Sequence, residues 1–303
     1  MASNTADTVH VEVVGDVGPG CKKKDPIIVA DNIHRAFGGL VAVDVAHVEI
    51  PRHRITALIG PNGAGKSTLF NLLTGFDQPD SGEWSFDGLS LVGRSPHTLP
   101  ALGLVRTFQL TKVLGLLTVM DNMKLAARHQ IGEKIFASLF PWLWKKQEKD
   151  LEDKAAEILA RFKLFEKKDD YAASLSGGQR KLLEMARALM VEPQLVMLDE
   201  PMAGVNPALT ESLLHHISDL KELGMTVLFV EHDMAMVRQI ADWVIVMAEG
   251  KLVAEGEPDV VLKNPAVVDA YLGSHQDIDL GAVTGRIPLP GGTSSSSKSP
   301  KKK

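Results

Sequence analysis

Residues 60–68 read GPNGAGKST and fit the pattern G-x-x-x-x-G-K-[S/T]. The stretch follows the apolar run ITALIG (55–60) and precedes LFNLLTG, a helical pattern that stops at Gly75. A glycine-rich loop set between a strand and a helix turns successive backbone N–H groups inward, and the helix N-terminus adds its positive end. The element is built to surround phosphates. Lys66 supplies a charge for the β and γ phosphates and Ser67 a hydroxyl for Mg2+. From average residue frequencies the bare pattern arises by chance in roughly one chain in a hundred of this length, and the strand-loop-helix context removes most of that remainder.

Three further β-rich runs, LVML (195–198), TVLFV (226–230) and WVIVM (243–247), are spaced by helical patterns, which predicts an α/β layer fold with a parallel sheet. Alternation in VDVAHVEI predicts an antiparallel β piece ahead of that core. From 118 to 170 the character changes: TVMDNMKLAARH and KKQEKDLEDKAAEILARFKLF carry Leu151, Ala155, Ile158 and Leu159 at helical spacing, so a helical subdomain at about 113–190 is inserted in the core. Between its helices FASLFPWLW reads either as internal packing or as a surface for a partner. Residues 1–26 and 274–303, the latter ending in GGTSSSSKSPKKK, read as flexible ends around a single domain at 27–273.

The chain has 303 residues, 45% hydrophobic and 23% charged, within the range of ordinary soluble domains. A net charge of −5 offers no general attraction for nucleic acid, so anion binding must be local. The single cysteine, Cys21, cannot form an internal disulfide. No apolar run approaches the roughly 18 residues that cross a bilayer, and the polar N-terminus lacks a secretory pattern. The expectation is a soluble or membrane-peripheral protein; were it to serve transport, the pathway would lie in other chains.

VMLDEPMAGVNP (196–207) ends an apolar strand on two adjacent acids, Asp199 and Glu200. Neighbours along a strand face opposite ways, so the two should hold different partners. Taken alone they read first as helix caps at a strand-to-helix turn. Beside a phosphate loop, Asp199 fits the acid that shares Mg2+ with Ser67, which leaves Glu200 to orient and deprotonate an attacking water. A second glycine motif, LSGGQR (175–180), opens a helical run, KLLEMARALM. It is either a plain turn or an anion site whose phosphate is not supplied by its own neighbourhood.

GPNGAGKST, Gln109 in RTFQL, LSGGQ, LVMLDEP and His232 in FVEHD, in that order and spacing, resemble the ATP-binding subunits of ABC transporters over residues 27–273. The resemblance implies a head-to-tail pair in which Ser176, Gly177, Gly178 and Gln179 of one domain close over ATP held by the other's loop, from Asn62, Gly63 and Gly65 through Lys66, Ser67 and Thr68. It also implies that Gln109 senses Mg2+ and the attacking water, that His232 meets the γ-phosphate and that Phe37 stacks on adenine. FGGLVAVD, AGVNP, EHDMAMV and PAVVDAYLG are similar to LivG-type ATPases of branched-chain amino acid importers, whose relatives serve urea and short-chain amides. Many members carry a bulkier residue where Gly177 stands.

The implied assembly is two membrane-spanning permeases, a sister ATPase or a second copy, and, indirectly, an extracytoplasmic binding protein, with this chain at the cytoplasmic face of the inner membrane. The rival readings are a soluble ABC assembly factor and the ATPase of a lipid exporter. A DNA-repair ATPase fits poorly, because about 110 residues separate the nucleotide motifs and basic patches are missing.

Overall fold

The computed structural model describes residues 11–107, 113–127, 141–205 and 207–272. Gln109, the side chains of FASLFPWLW and the tail from 273 lie outside them. Strands β1 (Val13–Val14) and β2 (Lys22–Lys23) pair antiparallel. They are followed by two long strands, β3 (Pro26–Phe37) and β4 (Leu40–Pro51), joined through Gly38 and Gly39 with φ of 54° and 88°. Positive φ at both central positions is what a two-residue hairpin of type I′ requires. β3 also pairs with β6 (Ser81–Phe86), and β7 (Leu89–Ser90) completes an antiparallel sheet of four strands.

The second sheet is the parallel core. In spatial order it runs β12 (Lys251–Gly256), β11 (Trp243–Ala248), β5 (Ile55–Ile59), β10 (Thr226–Val230), β9 (Leu195–Asp199) and β8 (Leu104–Arg106), and only β12 is antiparallel to its neighbour. β5 and β10 are buried at every position. Their side chains divide by the period of two: Val227 and Phe229 join a core on one face, Leu228 and Val230 a core on the other. The second core is closed by the antiparallel sheet and by α1 (Lys66–Leu73), through Leu69, Phe70, Leu72 and Leu73. Helix α1 is thus held between two sheets, so the loop that feeds it has little freedom.

The first core takes in the helical insertion. Between β8 and β9 the chain forms α2 (Val119–Ala126), α3 (Pro141–Arg161) and α4 (Gly177–Leu189), and α2 packs against both of the others. Helices α5 (Pro207–Glu222) and α6 (Met234–Ile240) follow β9 and β10.

Residues 11–26 depart from the expected flexible end. Lys23 Nζ lies 2.5 Å from Glu255 Oε2 on β12, with the two side chains 1% and 0% exposed. The same carboxylate accepts the Trp243 indole N–H at 3.0 Å and, through Oε1, the Cys21 backbone N–H at 2.6 Å. Lys23, within the stretch expected to be a flexible end, is the charged centre of a docked hairpin.

Candidate functional site

Parallel register brings the motifs together. Val230 at the end of β10 pairs with Leu58 of β5 on one side and with Asp199 of β9 on the other. Asp199 is therefore level with the end of β5 and two strand spacings away, about 10 Å. The loop at 60–65, the acids at 199–200, and Glu231 with His232 all leave the sheet at its carboxyl edge, where open α/β sheets bind ligands.

The loop itself is shaped by glycine. Gly60, at φ 151°, passes so close to Met247 that a Cβ would sit 2.1 Å from its carbonyl oxygen, and at Gly65, φ 97°, a Cβ would sit 2.2 Å from the oxygen of Ala42. Gly65 is the N-cap of α1 and gives it no side-chain cap, nor is there an acid in the first turn. The helix start therefore keeps its N–H groups for an anion. Lys66 Nζ donates to the carbonyls of Gly60 (2.8 Å) and Pro61 (2.9 Å), folding over the loop. Burial pushes its pKa down, and the charge of Glu200 opposes this. Ala42 lies just past the hairpin tip that carries Phe37, which is 48% exposed with the Arg35 guanidinium 4.6 Å from its ring. The strand that packs against the phosphate loop thus belongs to the hairpin that carries an exposed aromatic.

The two acids are separated by the backbone. Asp199 ends β9 and its Oδ2 accepts from Arg106 Nη2 at 2.8 Å. Arg106 also donates to Asn71 Oδ1 at 2.7 Å. Glu200 is already off the strand, in the left-handed region at φ 44°, with its N–H donating to the Val230 carbonyl at 3.1 Å. The expectation of alternating strand neighbours gave the right separation for a different reason: a strained turn, not strand alternation, parts them. His232 is exposed, its Nδ1 3.7 Å from Glu231 Oε2.

Ser176 caps α4: its Oγ accepts the Gln179 N–H at 3.2 Å while Gln179 Oε1 accepts the Ser176 N–H at 3.0 Å, a complete capping box. The two glycines differ. A Cβ at Gly177 meets nothing within 4 Å, whereas one at Gly178 would lie 1.5 Å from Leu209 Cδ2. Gly177 is thus open to a larger side chain and Gly178 is not.

A phosphate-shaped loop, a strand-end acid and a glutamate turned out of the strand at one sheet edge define a P-loop nucleotide hydrolase. A family model described as ABC transporter matches residues 43–203, and one described as branched-chain amino acid ATP-binding cassette transporter matches residues 251–277. The chain belongs to the ATP-binding subunits of the ABC transporter family, which are ATPases. It is 41% identical over 254 residues to a probable branched-chain amino acid transport ATP-binding protein LivG of Archaeoglobus fulgidus, covering 84% of this chain and 98% of that one. With the high-affinity branched-chain amino acid transport ATP-binding protein BraF of Pseudomonas aeruginosa it shares 38% identity over 82% of this chain and 98% of the relative. The crystal structure of the ADP conformation of an ATP-binding cassette of an ABC transporter matches with a TM-score of 0.70 at 38% identity, over 82% of this chain and 99% of that one.

Three site residues escape a motif reading. Arg106, three residues before Gln109, holds Asp199. Glu231 is 2% exposed at the end of an otherwise apolar strand, and burial pushes its pKa up. Lys181 stands near the N-terminus of α4, where the helix dipole disfavours a cation. Those two misplaced charges were the available signal: each asks for a partner that its own neighbourhood in sequence does not provide.

Proposed function

We propose that this chain binds MgATP, closes against a second cassette and powers uptake of branched-chain amino acids or related small solutes through two membrane-spanning permeases. The observation that carries the reading is the convergence of Lys66, Asp199, Glu200 and His232 at the carboxyl edge of β5, β9 and β10. The solute class rests on the names of the relatives and on the match at residues 251–277.

In this reading the loop from Asn62 to Thr68 wraps the phosphates, and Lys66 exchanges its two carbonyl acceptors for β- and γ-phosphate oxygens. Phe37 stacks on adenine. Among the described residues no group of three or more His, Cys, Asp or Glu side chains could hold a metal. An oxygen set of Ser67 and Asp199 completed by phosphates and water fits Mg2+, which prefers hard oxygen donors and keeps several waters. Mg2+ neutralises developing phosphate charge when bound. Glu200 takes the proton of the attacking water, His232 steadies the γ-phosphate, and Gln109 meets the water from the segment outside the described residues. Ser176 to Gln179 present a helix N-terminus to the nucleotide of the other cassette. Among the described residues no helix is long and apolar enough to cross a membrane, so the solute pathway is assigned to the permeases. The cassette sits peripherally on their cytoplasmic side, with an extracytoplasmic binding protein feeding the far side.

Tagging the chain in its source cells, solubilising membranes gently and identifying co-purifying proteins by mass spectrometry tests the assembly. Two polytopic permeases with a second small ATPase are expected. Soluble partners alone, in every detergent tried, would point to an assembly factor instead.

A further inference from the structure

The segment after β9 has to hold Glu200 at φ 44°, a conformation that non-glycine residues adopt at a cost. Two charged side chains from other elements grip it. From the second turn of α4, Lys181 Nζ donates to the carbonyl oxygens of Pro201 at 2.9 Å and Ala203 at 2.5 Å. From the end of β10, Glu231 accepts the Met202 N–H at 3.0 Å through Oε1 and the His232 N–H at 3.3 Å through Oε2. The three residues following Glu200 are thus held in turn by a cation, an anion and the same cation. Charge-assisted bonds are stronger than neutral ones, and Glu231 is buried and Lys181 partly so, which strengthens them further.

The geometry points to Lys181 and Glu231 as a clamp on residues 201–203: two positioning residues that fix Glu200 for attack and tie its placement to α4, the helix that Ser176 caps. The inference rests on Glu200 being the base. A shift of α4, as its N-terminus engages the nucleotide of a second cassette, reaches Glu200 through one side chain. Burial lowers the Lys181 pKa, but the charges of Glu231, Glu184 and Glu200 all work to keep its proton. A neutral residue of similar length therefore removes the grip while filling the same space.

The test compares the full chain with Lys181→Met and Lys181→Arg, each with and without Glu200→Gln. It reads kcat, KM for ATP, equilibrium binding of a fluorescent ATP analogue with Mg2+, and the melting temperature. Lys181→Met is expected to lower kcat at least about tenfold with KM and nucleotide affinity held within about twofold. Lys181→Arg, which still donates to two carbonyls, should recover most of the loss. On the Glu200→Gln background Lys181→Met should leave the residual rate where it is, since there is no base left to place. Unchanged kcat in Lys181→Met overturns the clamp. So does a loss of kcat and affinity together that arginine does not restore, because that is the mark of a structural role. If Lys181→Met does not fold, Lys181→Gln decides on the same split. Full turnover by Glu200→Gln alone would instead remove the base assignment, and that failure is distinct from an inert Lys181 beside an inactive Glu200→Gln.

Discussion

Glu200 and Asp199 are neighbours in the chain and strangers in the site, because one residue completes the β9 ladder and the next turns left-handed out of it. Asp199 is held by Arg106 and stays at the sheet edge; Glu200 is carried by a loop that other side chains secure. Their roles should therefore come apart on substitution. Glu200→Gln keeps size and hydrogen bonding but cannot take a proton, so turnover should fall at least about 100-fold while ATP still binds. Sustained hydrolysis in that variant removes Glu200 as base. Lys66→Ala acts at the earlier stage: losing a charge-assisted contact to phosphate should weaken equilibrium nucleotide binding by about tenfold or more, and unchanged affinity in a titration would contradict the phosphate role. The chemistry of both residues is legible in sequence, since each lies in a motif whose residue types the reaction demands. Arg106, Lys181 and Glu231 are not, since each acts on a group brought to it by the fold.

At the scale of elements, β5, β9, β10 and β11 were readable because strands covered on both faces become unbroken apolar runs. Strand β8 was not: three residues at the sheet edge acquire strand identity only by pairing with β9. The β1–β2 hairpin was misread as a loose end for a related reason. Its anchor, Glu255, lies 232 residues away in sequence. With Lys23 and Glu255 nearly inaccessible, Lys23→Met should leave a buried carboxylate short of its cation and cost about 3 kcal/mol of stability. Urea denaturation of the two full-length proteins measures this; coincident transitions would mean the pair contributes nothing to stability and the hairpin only rests on the domain.

At the scale of the molecule, the glycine helix capped by Ser176 is exposed at its start, and its cap is satisfied within the chain by Gln179. In the proposed assembly its dipole is directed at the nucleotide of another cassette. Hydrolysis by a fixed amount of this chain should then rise steeply as a second cassette is added, whether more of the same chain or the sister ATPase. A rate strictly proportional to enzyme over a wide concentration range would count against a shared site. In the proposed assembly solute choice is left to other subunits, because the motif residues are assigned to the nucleotide.

What the sequence by itself determined is whatever is local: the phosphate loop, which needs only glycine, lysine and a strand-to-helix turn in succession, the buried strands, the adjacent acids and the capped glycine helix. Only the tertiary structure decided what depends on distant segments meeting. Parallel register across β10 set Asp199 level with the end of β5, Lys181 reached the segment after Glu200, and Lys23 found Glu255. Short-range propensity and motif chemistry are written in consecutive residues. The pairing of charges taken out of water is fixed only when packing has brought them together.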